Sequence, residues 1–211
     1  SSAQDMLVLN AWVVGAFCIS DEVQVGVGRF GSHFWGFEAQ GVVPDIVTMG
    51  KPLGNGHPIA ALVTTREIAD AFDDGVKYFN TFAGNPASCA IGTAVLDIVQ
   101  GDGLQGRALE VGNYLISELT ALRELHPMIG DVRGHGLYMG VELVTDPLLR
   151  TPATDQAKEI CEILKDNGVF NYPTGKYDNV LKIKPPMVFG KEHADIFVST
   201  LGAALTQIES R

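Results

Sequence analysis

The chain has 211 residues, of which 46% are apolar and 19% charged, and its formal net charge is −10. That is the balance of a soluble globular protein, long enough for one large domain or two modest ones to bury a real core. It excludes collagen-like and disordered chains, argues against nonspecific nucleic-acid binding, and contains no apolar run of the ~18 residues that a membrane span needs.

Cys18, Cys89 and Cys161 are odd in number and far apart, with no CxxC or Cys/His cluster. Neither a disulfide framework nor a metal site is expected, and reduced, buried thiols of an intracellular protein fit better. The chain begins Ser-Ser, and no charged-then-apolar leader follows, so no targeting peptide is read.

The elements follow in chain order. Val13 to Ser20 is an apolar run ending at Asp21-Glu22, which suits a strand covered on both faces. Asp45 to Met49 and Pro58 to Thr64 are two further strand candidates, and Ile68, Ala69 and Phe72 then recur at helical spacing after Thr65. Asn85-Pro86 reads as a helix start, with Asn as N-cap and Pro at the first helical position. Ile91, Ala94, Val95, Ile98 and Val99 continue its apolar face.

Gly101-Asp102-Gly103 is the hinge candidate. Leu104, Ala108, Val111, Leu115, Leu119 and Leu122 mark a second long helix, which stops at His126-Pro127. Met128 to Val132 and Leu137 to Leu143 read as two strands joined through Gly134-His135-Gly136. Ala157 to Leu164 reads as a helix closed by Gly168, Val180 to Lys184 as a strand ended by Pro185-Pro186, and Ile196 to Ile208 as a final amphipathic helix. The layout predicts an α/β chain in two parts: residues 1–102 as a mixed α/β region and 103–211 as a smaller α+β region.

One constellation can carry chemistry. Asp21 ends one apolar strand, and Lys51 follows the next within Met49-Gly50-Lys51-Pro52-Leu53-Gly54-Asn55-Gly56. Ligands of α/β sheets bind at such strand ends. A lysine partly desolvated there favours the free amine that a Schiff base requires. An acid one strand away can hold a pyridinium nitrogen protonated, as pyridoxal phosphate requires to act as an electron sink. Taken singly, a lysine after a strand is ordinarily a solvated turn residue, and an Asp there a helix cap.

Five ordered motifs resemble the class III pyridoxal-phosphate aminotransferases. They are Ile19-Ser20-Asp21-Glu22-Val23-Gln24-Val25-Gly26-Val27-Gly28-Arg29, Pro44-Asp45-Ile46-Val47-Thr48-Met49-Gly50-Lys51, and Asn80-Thr81-Phe82-Ala83-Gly84-Asn85-Pro86. Gly130-Asp131-Val132-Arg133-Gly134-His135-Gly136-Leu137 and Lys184-Pro185-Pro186 complete the set. The match spans residues 13 to 205. It implies a fold-type I transferase, with residues 1–102 as the C-terminal portion of the large cofactor-binding domain and 103–211 as the small C-terminal domain.

The resemblance also implies roles. Asp21 matches the partner of the pyridine nitrogen, and Gln24 the residue that hydrogen-bonds the cofactor's 3-hydroxyl. Lys51 matches the Schiff-base lysine, which also shuttles the proton. Thr81 matches the threonine that reaches the cofactor phosphate of the neighbouring subunit, which implies a homodimer with shared active sites. His57 and His135 are read as turn or interface histidines and Arg133 as structural in a turn. Gly26, Gly28, Gly54 and Gly56 are read as turn glycines rather than a dinucleotide site.

His33-Phe34-Trp35-Gly36-Phe37 and Gly54-Asn55-Gly56-His57-Pro58 are similar to the branch of ethanolamine-phosphate and phosphohydroxylysine phospho-lyases, with alanine–glyoxylate aminotransferase 2 a near relative. Many class III aminotransferases place a carboxylate-clamping Arg where Lys182 falls. Lys cannot reproduce that planar fork but binds phosphate as a point charge. The expected activity is therefore β-elimination of phosphate and ammonia from a phosphorylated primary amine. An alanine–glyoxylate-type or other class III transaminase is the alternative, and a catalytically inactive truncated or degenerate partner chain the alternative of another class. The family's amino-terminal half supplies the ring-stacking aromatic and the phosphate-cradling turn, so the chain is expected to be a fragment. Its expected location is intracellular, mitochondrial or cytoplasmic.

Overall fold

The computed structural model describes residues 15–75 and 77–211. The chain divides into two compact units, Ser1–Gln105 and Gly106–Arg211.

The first unit is built on a three-stranded sheet of order β1-β2-β3, with β1 Ile19–Asp21, β2 Ile46–Met49 and β3 Ala61–Thr64. β1 pairs β2 in parallel and β3 runs antiparallel to β2, so the sheet is mixed. The strands are shorter than their apolar runs. Residues 13 and 14 of the first run lie outside the described residues, and Gly15 to Cys18 are irregular.

Among the described residues, the sheet of the first unit is not covered on both faces. Ile19 is 60% exposed, and Leu62 and Val63 of β3 are more than half exposed. β1 and β3 are edge strands of this sheet, so their apolar side chains lack neighbours on one side. Thr65 caps α1 (Arg66–Asp73) by accepting the Ile68 N–H. Asn85 caps α2 (Pro86–Gly101), its side-chain oxygen accepting the Ala87 and Ser88 N–H groups at 3.0 and 3.2 Å. Gly103, at φ +63°, then turns the chain into α3 (Leu104–Leu125).

The second unit has a five-stranded sheet ordered β4-β5-β8-β7, with β6 paired to β5. Its strands are β4 Ile129–His135, β5 Tyr138–Asp146, β6 Thr151–Pro152, β7 Pro173–Thr174 and β8 Val180–Ile183. Each pairing is antiparallel. The helices are α4 Thr154–Asp166 and α5 Lys191–Glu209.

Alternation along the strands decides the two faces. Met139, Val141 and Leu143 of β5, with Leu181 and Ile183 of β8, join Leu115, Leu119, Ile160, Leu164, Leu201 and Leu205 in one buried core. Gly140 and Lys182 sit opposite each other on the other face. Glu209 fastens the end of α5, one carboxylate oxygen taking the Met128 N–H at 3.1 Å and the other lying 2.7 Å from His126 Nδ1.

Candidate active site

The parallel pairing of β1 and β2 brings two of the predicted residues to adjacent strand ends. Asp21 is the last residue of β1 and stands opposite Thr48. Lys51 lies three residues beyond Thr48, at the start of a 3₁₀ turn, Lys51–Gly54. Asp21 Oδ1 accepts the Val23 N–H at 3.0 Å, and its carboxylate is exposed. Gln24 follows on the same turn, half-buried.

Lys51 is exposed rather than partly desolvated as the sequence led us to expect. The reason is local. The turn's buried residues are Leu53 and Gly54, while Lys51, two positions earlier, points to the open side.

The backbone that carries Lys51 is closely held. A Cβ on Gly50 would lie a tight 3.3 Å from Val23 Cγ1, and one on Gly54 would lie 2.6 Å from Ile59 Cγ2, so a side chain at Gly54 would force Ile59 to shift. Leu53 N–H closes onto Gly50 O at 2.7 Å. Asn55 takes the left-handed conformation that ends the turn. His57 Nε2 then meets Ser88 Oγ of α2 at 2.8 Å, which makes this histidine a brace within the first unit, in keeping with the turn-or-interface reading.

Thr81 is exposed in the turn that leads to the Asn85 cap. Its neighbours Tyr78, Phe79 and Phe82 are each more than two-thirds exposed.

One feature escaped sequence reasoning. Glu22, beside Asp21, is only 1% exposed. Its Oε1 accepts the Phe37 N–H at 2.9 Å and the Ser20 hydroxyl at 3.1 Å, and its Oε2 accepts the Gly36 N–H at 2.8 Å. No sequence signal marks it, since Asp21 and Glu22 are two adjacent acids at the end of one apolar strand. Arg29 of the same segment is half-buried, and burial pushes its guanidinium below its ordinary range.

The second unit places Lys182 in β8, beside a groove of about 490 Å³ that Phe170, Tyr172, Lys184, Phe189 and His193 also line. Arg107 shapes its rim by donating to Val188 O at 2.9 Å and Phe189 O at 3.1 Å. Two ammonium groups among aromatic and apolar side chains suit an anionic ligand. Arg133 lies in β4 and not in a turn. It is paired with Asp131 at 2.7 Å and Glu142 at 2.6 Å, which raise its pKa further. His135, the last residue of β4, is exposed. Among the described residues, no group of three or more His, Cys, Asp or Glu is arranged to hold a metal ion, and no helix is long and apolar enough to cross a membrane.

Known proteins resemble this chain in sequence and fold. The Drosophila melanogaster protein named alanine–glyoxylate aminotransferase 2-like is 50% identical over 196 residues, which are 92% of this chain and 40% of that protein. An Arthrobacter phospholyase solved in complex with phosphoethanolamine superposes with a TM-score of 0.93 at 42% identity, covering 98% of this chain and 49% of that one. An amine transaminase from an uncultivated Pseudomonas species, solved with bound pyridoxal phosphate, superposes at 0.87 with 34% identity, covering 95% and 47%. The chain thus spans less than half the length of these relatives. Its fold is that of the fold-type I transferases. The family described as aminotransferase class III matches residues 13–205, and the chain belongs to that family.

Proposed function

We propose that this chain carries the lysine-bearing part of a pyridoxal-phosphate enzyme that acts on a phosphorylated primary amine, releasing phosphate and ammonia and leaving an aldehyde. The observation that carries the reading is the placement of Asp21 at the end of β1 and of Lys51 two residues past the end of the parallel strand β2. The residues present fit the cofactor: an exposed amine and an exposed carboxylate stand on neighbouring strand ends, on a backbone that glycines keep close-packed.

When bound, the cofactor supplies an electron sink next to the substrate's amine-bearing carbon. Lys51 would hold it covalently and, once displaced by the substrate amine, would take the proton from that carbon and return one to the next carbon, which the phosphate leaves with its bonding electrons. Asp21 keeps the ring nitrogen protonated, and Gln24 hydrogen-bonds the ring hydroxyl. Thr81 contacts the cofactor phosphate of a second copy, whose docking the exposed Tyr78, Phe79 and Phe82 support as apolar interface. Residues 1–102 form the C-terminal portion of the cofactor domain and 103–211 the small domain. Lys182 receives the substrate phosphate as a point charge.

The phospholyase solved with phosphoethanolamine supports the lyase reading. The name of the fly relative favours a second one, amino transfer between an amino acid and a keto acid. The two are separated by supplying phosphoethanolamine without any keto acid. Phosphate and ammonia released in equal amounts identify the lyase. A strict requirement for an amino acceptor rules it out in favour of the transaminase.

A further inference from the structure

We infer that Glu22 is a positioning residue, whose buried carboxylate sets the placement of both Asp21 and Lys51. This rests on the reading above, in which those two residues hold the cofactor. Glu22 touches neither substrate nor cofactor in that reading and acts only through its neighbours.

A carboxylate taken out of water is costly unless hydrogen bonds replace its hydration. Glu22 is 1% exposed, and its three donors are neutral: the Gly36 and Phe37 N–H groups and the Ser20 hydroxyl. The two N–H groups open the 3₁₀ turn Gly36–Gln40, where backbone donors lack partners within the turn. Both oxygens are engaged, so an amide in the same place would turn its NH₂ group against a backbone N–H. The site therefore requires an acceptor at both ends, which a carboxylate supplies and glutamine does not.

The segment that Glu22 grips lies directly on the segment that bears it. A Cβ on Gly36 would lie 2.9 Å from Val25 Cγ2, and one on Gly26 would lie 2.8 Å from the Trp35 ring. Glu22 N–H donates to Thr48 O at 2.9 Å, extending the β1–β2 pairing one residue past the strand.

Two consequences reach the site. Successive side chains of an extended segment point to opposite sides. With Glu22 locked inward, Asp21 is held outward, where its Oδ1 meets the Val23 N–H at 3.0 Å. The same lock fixes Val23, whose Cγ1 fills the space 3.3 Å from where a Gly50 Cβ would stand. Gly50 is the residue before Lys51. A single buried carboxylate thus ties the acid and the lysine to one frame.

The test uses the protein expressed from its complete reading frame, as wild type, Asp21→Asn, Glu22→Gln, Glu22→Asp and the Asp21→Asn/Glu22→Gln double variant. Dissociation constants for pyridoxal phosphate are read by fluorescence titration, and melting temperatures are read in parallel. Glu22→Gln should weaken cofactor binding ~10-fold in the wild-type background but only ~3-fold in the Asp21→Asn background, where the route through Lys51 alone remains. Glu22→Asp, which keeps the charge but shortens the reach, should fall between wild type and Glu22→Gln. If Glu22→Gln fails to fold, Ser20→Ala, which removes only the hydroxyl donor, should weaken binding in the same direction with the same dependence on Asp21. A lowered melting temperature with an unchanged dissociation constant, or equal weakening in both backgrounds, overturns the positioning role. A wild-type protein that takes up no cofactor overturns the underlying reading, and this inference with it.

Discussion

Helix α3 holds two glycines whose replacement by alanine should act in opposite directions. A Cβ on Gly106 would meet nothing within 4 Å. Alanine there should stabilise by up to about 1 kcal/mol through helix propensity alone. A Cβ on Gly112 would lie 2.2 Å from the carbonyl oxygen of Gly136 and 2.4 Å from its carbonyl carbon. Those are backbone atoms of the β4–β5 turn, beside Leu137, which packs fully buried on Ala108 and Val111. They can yield only if the hairpin moves, and with it β5, which pairs with the strand carrying Lys182. Overpacking of this kind costs about 1–3 kcal/mol, with backbone contacts at the upper end. After the propensity gain of about 1 kcal/mol is set against it, Gly112→Ala should destabilise by about 2 kcal/mol. Urea unfolding of both variants, fitted with a common slope, measures the gap directly: the two midpoints should move to opposite sides of wild type. A Gly112→Ala protein as stable as Gly106→Ala would refute the close approach of α3 to the Gly136 turn.

Three further outcomes follow from single contacts. Asn85→Ala should destabilise by about 1 kcal/mol, because it leaves the Ala87 and Ser88 N–H groups at the start of α2 without their acceptor, and chemical denaturation reads the loss. Tyr114 donates to Asp195 Oδ1 at 2.5 Å, and that bond, then burial and the nearby carboxylates, push the phenol up to about 12. A raised pKa stabilises the protonated form, so this contribution is whole below the ordinary tyrosine range near 10 and is lost as pH rises through about 12. Absorbance titration should show one late-ionising tyrosine that Tyr114→Phe removes. Burial, and then the Glu162 charge, push the Cys161 thiol up to about 11, so it should be the last cysteine to react with a thiol reagent and should react fully only after unfolding.

Much of the frame was legible in the residues, and the failures have physical causes. The Asn85-Pro86 start of α2 was readable because N-cap and N1 preferences are local. The apolar face of Leu104 to Leu122 was readable for a similar reason: helical spacing survives whatever packs against it. Gly134 and His135 were expected in a turn but belong to β4, and the turn is Gly136-Leu137. A glycine needed for close approach looks the same in sequence as a glycine needed for a turn, and a Cβ on Gly134 would lie 2.4 Å from Met139 Cα. α5 begins five residues before its first periodic apolar residue, and α4 begins three before, because polar first turns carry no periodicity. In the site, the strand-end placement of Asp21 and Lys51 was anticipated. The exposure of Lys51 was not, since it depends on which residues of the 51–54 turn face inward. Glu22 was invisible as an anchor because its partners at Gly36 and Phe37 are backbone groups, which leave no mark in sequence.

The proposed function turns on Lys51 as the cofactor's attachment point. The most direct measurement is mass spectrometry of the pyridoxal-phosphate-loaded protein after borohydride reduction and proteolysis. One phosphopyridoxyl group should appear, on Lys51, with labelling abolished in Lys51→Ala. A label on Lys182, Lys184 or another lysine, or one that survives Lys51→Ala, would contradict it.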